Sequence, residues 1–329
     1  MDNLCHTLVG AALAESGLRR RTALGTATLL IGANLPDIDV LAYLAGPLAD
    51  LELRRGWTHG IAALVVLPLL LTAAMLAFDR LARRARRAVL PSQARAGPLL
   101  LLSAIAVLSH PVLDSLNTYG VRWLVPWSET RVYGDTLFII DPWLWLALGA
   151  GTWLSRRRRH ARLRTVVPER PARVALAAGT LYVTAMAVSM AAARGIVREE
   201  ASAAFGPGPI ETLMVAPVVA DPFRREVVVS QPDAHRAAAF HWFRRPHLDA
   251  ATVASFPRLS LGDPHAAQAA LTEEGRRFLG WARFPSAAVD TATSTPMVHF
   301  IDVRYARRPG TGFGSVTIPL PRTPPDAIP

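Results

Sequence analysis

The sequence predicts an α-helical membrane bundle, with about four spanning helices after an N-terminal helical hairpin, followed by a C-terminal β-rich soluble domain. The chain has 329 residues, of which 51% are hydrophobic, and its mean hydropathy of +0.25 is high for a soluble protein. Nearly all long apolar runs lie in residues 1–195. Residues 196–329 contain short alternating segments separated by proline and glycine, a pattern typical of strands.

Six apolar runs predict the helices of the N-terminal part. They fall at 7–18, 22–36, 61–78, 98–116, 137–154 and 173–193. Because a helix needs about 20 residues to cross the hydrocarbon core, the last four runs predict spanning helices. The first two runs are shorter and flank the arginines at 19–21. They therefore predict a hairpin that packs against the other helices without fully spanning.

The arginines predict the orientation of these helices. All 36 basic residues are arginine, and the net charge is +11. Seventeen arginines lie at 19–21, 80–95 and 156–173, whereas the intervening connections hold only Arg54, Arg55, Arg122 and Arg131. The positive-inside rule places the arginine-rich connections in the cytoplasm. Since topology accounts for most of the charge, we expect membrane lipids and no nucleic acid as partners.

The C-terminal part predicts a small β-rich domain on the extracytoplasmic side. Alternating residues at 212–219, 225–230 and 297–305 indicate strands, and 266–280 indicates one helix. We expect a membrane-embedded domain at 1–195, the β-rich domain at 196–318 and a proline-rich tail at 319–329. The single Cys5 excludes an intramolecular disulfide and a cysteine-based zinc finger. No basic region precedes the first apolar run, so we expect a retained N-terminus.

Histidines and carboxylates lie at the ends of the apolar runs, where ionisable groups are costly and usually mark a site. The predicted topology brings them to the non-cytoplasmic face. They are His6, Asp37, Asp39, His59, His110, Asp114, Asp135 and Asp141. Imidazole and carboxylate together suit a divalent metal. The first six are the candidate metal ligands, and residues 1–195 therefore form the candidate metal-site domain.

His110 and Asp114 are the most specific pair, because a spacing of four residues places both on one helix face. Asn117 continues that face one turn later. Pro111 predicts that His110 lies at the start of its helix. The alternative is a histidine–aspartate hydrogen bond that only supports packing.

Asp37 and Asp39 follow Pro36 and would diverge on a regular helix, so they predict a turn. Both could face one ion, or one could bind it while the other orients a histidine. The alternative is helix N-capping. His59 opens the helix at 61–78, with Thr58 as the expected N-cap; alternatively it is an interfacial histidine.

Arg55 could bind an anionic group with two hydrogen bonds, or pair with Glu52 or lipid headgroups. His6 could bind metal or lie at the surface, with Thr7 as the expected N-cap. Five histidines of the C-terminal part have no tight spacing and are expected to be structural or surface residues: His235, His241, His247, His265 and His299. Asp50 and Asp79 fit helix ends. The chain contains no H-E-x-x-H, G-x-S-x-G or P-loop motif.

Four sequence motifs carry a family resemblance: M-D-N-L-C-H-T-L-V-G-A-A-L, L-I-G-A-N-L-P-D-I-D, R-G-W-T-H-G and H-P-V-L-D-S-L-N-T-Y-G. They resemble the YdjM-like family of inner-membrane metal-dependent hydrolases, which LexA regulates in some bacteria. The resemblance covers about residues 1–155, and Cys5 replaces the usual threonine of the first motif. It implies metal dependence, and the family is distantly similar to zinc-dependent phospholipase C and related nucleases.

We therefore expect a multi-pass bacterial inner-membrane hydrolase that uses metal-activated water. The metal is expected to be Zn, with Mn or Mg as alternatives, as one or two ions. Asp114 or Asp39 could act as general base, and Arg55 would meet the charge of a phosphoester or lipid substrate. The alternative is a non-enzymatic membrane protein with a structural or transport metal site.

Overall fold

The computed structural model describes residues 1–85, 93–161, 167–292, 295–310 and 312–320. Most of the predicted proline-rich tail, residues 321–329, lies outside the described residues. The chain forms two compact units. The first comprises Met1–Val40, Arg55–Met190 and Ala216–Pro222. The second comprises Leu41–Arg54, Ala191–Val215 and Phe223–Pro329. The expected boundaries at 195 and 318 stay predictions.

Helices dominate the N-terminal part, as the apolar runs predict. They are α1 (Asn3–Glu15), α2 (Gly25–Asn34), α3 (Pro47–Leu53), α4 (Ile61–Arg84), α5 (Ala96–Asp114), α6 (Pro142–His160) and α7 (Arg170–Phe205). Short 3-10 helices follow α1 at Leu18–Arg21 and α2 at Leu35–Ala45. Asp2 caps α1 by accepting hydrogen bonds from the backbone of Leu4 and Cys5. The expected cap Thr7 is wrong, because α1 begins four residues earlier.

Four described segments are long and apolar enough to cross a membrane, which confirms the expected number. They are Gly25–Ala45, Ile61–Arg84, Ala96–Asp114 and Arg170–Phe205. The set differs from the expected one in one member, because Gly25–Ala45 takes the place of the span expected at 137–154. The 3-10 helix after α2 lengthens that segment to 21 residues, whereas α6 ends in Arg156–Arg159 and is less apolar.

Small residues allow α2 to pack closely on its neighbours. A Cβ atom on Gly10 of α1 would lie 2.7 Å from the Leu29 carbonyl oxygen, and one on Gly32 would lie 2.8 Å from the Cβ of Ala106 in α5. Such close approaches let helix backbones meet inside a membrane. The helices that carry the candidate ligands are therefore held in direct contact.

The arginine-rich connections meet at one end of the first unit. Glu15, at the end of α1, accepts from Arg159 at 2.6 Å and from Arg156 at 3.2 Å. Glu169 pairs with Arg20. Asp79 is buried and accepts from the Arg83 side chain at 3.0 Å, so its expected role as a simple helix-end residue is incomplete. Since α1 begins and α5 ends at the other end, the candidate ligands lie opposite this basic end.

The C-terminal part contains two antiparallel sheets. One sheet has the order β1 (Thr212–Val218), β2 (Asp221–Ser230), β3 (Ala234–His241), β4 (Leu248–Pro257), and the other β5 (Pro285–Asp290), β6 (Met297–Asp302), β7 (Ser315–Pro319). Val215, Val227, Val229 and Phe240 pack with the end of α7 in one core. The antiparallel sheets confirm the β-rich class.

The single helix expected at 266–280 is instead two, α8 (Pro264–Leu271) and α9 (Glu273–Trp281). Thr272 is extended, with ψ 162°, and its side chain accepts from Gly275 N to cap α9. A Thr N-cap followed by Glu273 and Glu274 favours a new helix start over continuation.

Candidate metal centre

His110 and Asp114 lie one turn apart in the last turns of α5, and both are fully buried. The expectation that His110 begins its helix is wrong. α5 begins at Ala96 and continues through Pro111. A proline within an apolar membrane helix is tolerated when neighbouring groups satisfy the freed backbone.

Gly60, not Thr58, is the N-cap of α4. Thr58 instead donates its hydroxyl to Asp39 Oδ2 at 3.0 Å and lies 2.9 Å from Nδ1 of His59. Asp39 Oδ2 also accepts the backbone N–H of Arg55 at 2.8 Å. The Thr58 hydroxyl is therefore bound to the Asp39 carboxylate and does not cap α4.

Asp37 and Asp39 lie in the 3-10 helix rather than in an isolated turn, and neither caps a helix. Asp37 faces the two histidines: its Oδ1 is 3.5 Å from His110 Nε2 and 3.9 Å from His59 Nε2. Asp114 Oδ2 completes the group at 3.4 Å from His59 Nε2 and 3.6 Å from His110 Nε2. We call Asp37, His59, His110 and Asp114 the ligand cluster; one ligand atom from each lies within 4.8 Å of all the others.

The ligand cluster fits a divalent metal such as zinc. Bonds of about 2.0–2.2 Å to a tetrahedral zinc would place neighbouring ligand atoms about 3.3–3.6 Å apart. Three separations in the cluster, 3.4, 3.5 and 3.6 Å, agree with this range, and the separation between Asp37 and His59 is longer at 3.9 Å. Nε2 of His59 and Nε2 of His110 are buried without a hydrogen-bond partner among the described residues. Buried polar atoms without partners are costly, so these two nitrogens favour a ligand.

Each histidine of the cluster is oriented through its other nitrogen. His110 Nδ1 donates to the Ala33 carbonyl at 2.7 Å. His59 Nδ1 faces Thr58 Oγ1 and lies 3.2 Å from Asp39 Oδ2. When Nδ1 carries the proton, the lone pair of Nε2 is directed at the cluster, as metal-binding histidines require.

The charges around His59 favour a bound cation. Burial lowers the pKa of the His59 imidazole, but the adjacent carboxylates of Asp114 and Asp39 outweigh that effect and raise the pKa above its usual value. The carboxylates thus attract positive charge to His59. A divalent cation would compete with the proton for the same nitrogen.

Arg55 is buried and pairs with Asp114 rather than with Glu52. Its Nε lies 2.9 Å from Asp114 Oδ2, its Nη1 donates to Asn117 Oδ1 at 2.8 Å, and the guanidinium stacks on Tyr119. The backbone of Arg55 is left-handed, with φ 55°. Non-glycine residues adopt this conformation rarely. Glu52 pairs with Arg277 at 2.9 Å instead.

His6 lies beside the ligand cluster. Its ring stacks on His110 with 3.6 Å between centroids, and its Nε2 is 3.2 Å from Asp114 Oδ1. The Met1 amine also contacts this oxygen. His6 is thus placed to hold His110 and Asp114 in position.

The two remaining candidates from the sequence, Asp135 and Asp141, are not members of the ligand cluster. Asp141 caps α6 and accepts from Tyr182 at 2.9 Å, and Asp135 is buried outside the ligand cluster. Sequence reasoning assigned Thr58 to a helix cap and gave Tyr119 no role, so it missed the contact of Thr58 with Asp39 and that of Tyr119 with Arg55. The T-H pair at 58–59 was a usable signal for Thr58, whereas the stacking of Tyr119 on Arg55 depends on the fold.

Comparisons with known proteins agree with this architecture. Residues 1–195 match the family described as YdjM inner membrane protein. The chain is 36% identical over 107 residues to inner membrane protein YbcI of Escherichia coli (strain K12), covering 32% of this chain and 54% of that protein. It is 25% identical over 158 residues to the uncharacterized protein YfhP of Bacillus subtilis (strain 168), covering 45% and 44%.

The chain spans about half the length of these two curated relatives. No solved structure matches it significantly. The family match covers more than half of the chain and includes every residue of the ligand cluster. On this evidence the chain belongs to the YdjM inner membrane protein family.

Proposed function

We propose that this protein is a membrane-bound hydrolase that holds a divalent metal, zinc first, and cleaves a phosphoester. One observation carries the proposal: four buried ligand atoms converge, and two of them are imidazole nitrogens without a hydrogen-bond partner among the described residues. Two imidazole nitrogens among the four ligand atoms favour zinc over magnesium, which prefers octahedral oxygen ligands.

The charges around the cluster favour a cation. Asp37, Asp39 and Asp114 supply three carboxylates, whereas Arg55 and the Met1 amine, which both contact Asp114, supply at most two positive charges. The carboxylates therefore leave an excess of negative charge that a bound cation would offset. Burying charge without such compensation is costly.

Each residue then has a role in hydrolysis. A bound divalent ion would supply Lewis acidity and a water activated near neutral pH. His59, His110 and Asp37 would hold it, while Asp114 is shared with Arg55, whose Nε lies 2.9 Å from Oδ2. Three firm protein ligands and an open position are typical of catalytic zinc. Asp39 Oδ1 is buried without a hydrogen-bond partner among the described residues, so it is the oxygen available to accept a proton.

A structural metal site is the second candidate, and a specific observation favours it. The cluster offers four protein ligands, three of them fully buried. Structural zinc sites are closed by four protein ligands. In the structural site Asp114 is a full ligand, which leaves no open position. In the catalytic site Arg55 holds Asp114 away from the metal, and one position stays open.

Metal content and hydrolysis should be measured on the full chain purified in detergent. Phosphoester, carboxylic ester and amide substrates are compared before and after chelation and zinc re-addition. His59→Ala and His110→Ala should each lose most bound metal and activity, because each removes a proposed metal ligand. Even the loss of a residue that only orients a ligand lowers metal affinity or activity by about 10–100-fold. His265→Ala, at a half-exposed histidine of α8, is the control and should change neither.

Full metal content in both cluster variants would show that the cluster is packing and would refute the proposal. Stoichiometric metal in the wild type without turnover of any substrate class would instead support the structural site.

A further inference from the structure

The ligand cluster is closed on most sides. His59, His110 and Asp114 are fully buried, whereas the side chain of Asp37 keeps 9% of its surface exposed. Asp37 lies within Gly25–Ala45, one of the segments apolar enough to cross a membrane. A molecule that reaches the cluster past Asp37 therefore approaches along a segment that is apolar enough to cross a membrane.

Exposed apolar side chains border this approach. We call them the rim: Ile38, Val40, Trp57, Ile61, Leu124 and Trp127, which are between 45% and 74% exposed. Ile38 and Val40 flank Asp39, while Trp57 and Ile61 lie two residues on either side of His59. Exposed apolar residues thus lie within two positions of Asp37, Asp39 and His59 in the sequence.

The rim is a defined surface rather than a set of scattered side chains. Ile61 N donates to the Trp123 carbonyl, and Arg122 N donates to the Arg55 carbonyl, both at 2.9 Å. These bonds fix the loop that carries Leu124 and Trp127 against the loop that carries His59. Single exposed apolar residues are ordinary, but several of them on linked segments around a polar centre indicate an interaction surface.

The chemistry of the rim identifies its occupant as bilayer lipid. Tryptophan is enriched where membranes meet water, and the rim contains Trp57 and Trp127. The rim is also continuous with two candidate spans, since Ile38 and Val40 belong to Gly25–Ala45 and Ile61 begins Ile61–Arg84. A centre that received water-soluble substrates would not need apolar residues at these positions.

We infer that the metal centre opens into the lipid bilayer near its surface and takes its substrate from the membrane, as a lipid that carries a phosphoester. The nature of the substrate rests on the proposed hydrolase function. The lipid-facing opening does not, because it follows from exposure and composition alone.

The first test measures the opening without any assay of activity. In a Cys5→Ser background, Ile38→Cys and Trp127→Cys are placed separately in the full chain and reconstituted into phosphatidylglycerol–phosphatidylethanolamine vesicles. After attachment of a benzophenone maleimide and irradiation, both should form lipid adducts detectable by mass spectrometry, and both should react slowly with a charged maleimide. Ser260→Cys, at an exposed residue of the C-terminal domain, is the control and should behave in the opposite way. Rapid charged labelling at positions 38 and 127 without lipid adducts would overturn the inference.

The second test concerns the substrate. The same phosphoester is offered on a long-chain lipid within the vesicles and on a short-chain analogue dissolved in water. We expect turnover of the long-chain form to be preferred, and Trp127→Ser to lower the ratio of long-chain to short-chain turnover severalfold. Equal turnover of both forms would overturn the inference. Lipid adducts without turnover of either form would support the opening and contradict only the hydrolase proposal.

Discussion

Asp114 is the residue on which the ligand cluster depends most, because five groups converge on its carboxylate. Oδ1 contacts His6 and the Met1 amine. Oδ2 faces Arg55, His59 and His110 at 2.9, 3.4 and 3.6 Å. Removing this charge would leave the buried Arg55 without its ionic partner, which is strongly destabilising for buried ion pairs.

Asp114→Asn should therefore lose most bound metal while still inserting in the membrane. The amide nearly preserves volume, but it removes the negative charge that balances Arg55 beside the cation. Metal content per chain, measured on protein purified in detergent, checks this.

Asp79→Asn is the matched control, since Asp79 is equally buried but lies at the basic end of α4. An asparagine there keeps an oxygen to accept from Arg83, so metal content should be unchanged and any loss of stability should be about 0.5–1.5 kcal/mol. Equal metal loss in both variants would mean that the effect is general destabilisation.

At the residue scale, the sequence predicted which side chains meet but not what each one does. The spacing of His110 and Asp114 and the costly placement of His59 near a membrane were sufficient to group them. A division of roles between Asp37 and Asp39 was one of two alternatives, but which aspartate faces the cluster was not predictable. It depends on a 3-10 helix that turns Asp37 to the cluster and Asp39 to Thr58 and Arg55.

At the scale of elements, α2 is the helix that sets the geometry of the centre. It packs on α1 through Gly10 and on α5 through Gly32, and its end leads into the segment that carries Asp37. Ala33 at the same place accepts the hydrogen bond from His110 Nδ1. Close packing of α2 thus orients a ligand directly.

Gly32→Ala should destabilise the helical unit by about 1–3 kcal/mol, because its Cβ would lie 2.8 Å from Ala106 Cβ and 3.2 Å from Leu71 Cδ2. Gly97→Ala in α5 meets no atom within 4 Å and should be neutral or slightly stabilising. Unfolding by denaturing detergent measures both. Similar unfolding midpoints for the two variants would contradict the role of close packing at α2.

The prediction of elements succeeded where a run was long and failed where it was short or weakly patterned. The apolar runs identify α4, α5 and α7 because a membrane helix requires about 20 apolar residues. β3 was missed since it contains four alanines and two histidines, residues with little strand preference. The extension of α2 by the 3-10 helix was missed because Pro36 indicates a helix boundary.

At the scale of the whole molecule, the arginine-rich connections and the ligand cluster lie at opposite ends of the helical unit. We expect the basic end to be cytoplasmic. In a Cys5→Ser background, His160→Cys should resist an impermeant thiol reagent added outside intact cells, and Thr130→Cys should react, since both positions are exposed. Labelling of position 160 alone would invert the topology.

The most direct measurement is the metal K-edge X-ray absorption spectrum of the purified full chain, taken together with its metal stoichiometry. We expect about one zinc per chain, with two imidazole nitrogens and one or two carboxylate oxygens at about 2.0–2.2 Å. His110→Ala should remove one imidazole from the spectrum or abolish binding. A wild-type protein that binds no divalent metal when zinc is supplied in excess would contradict the metal centre itself.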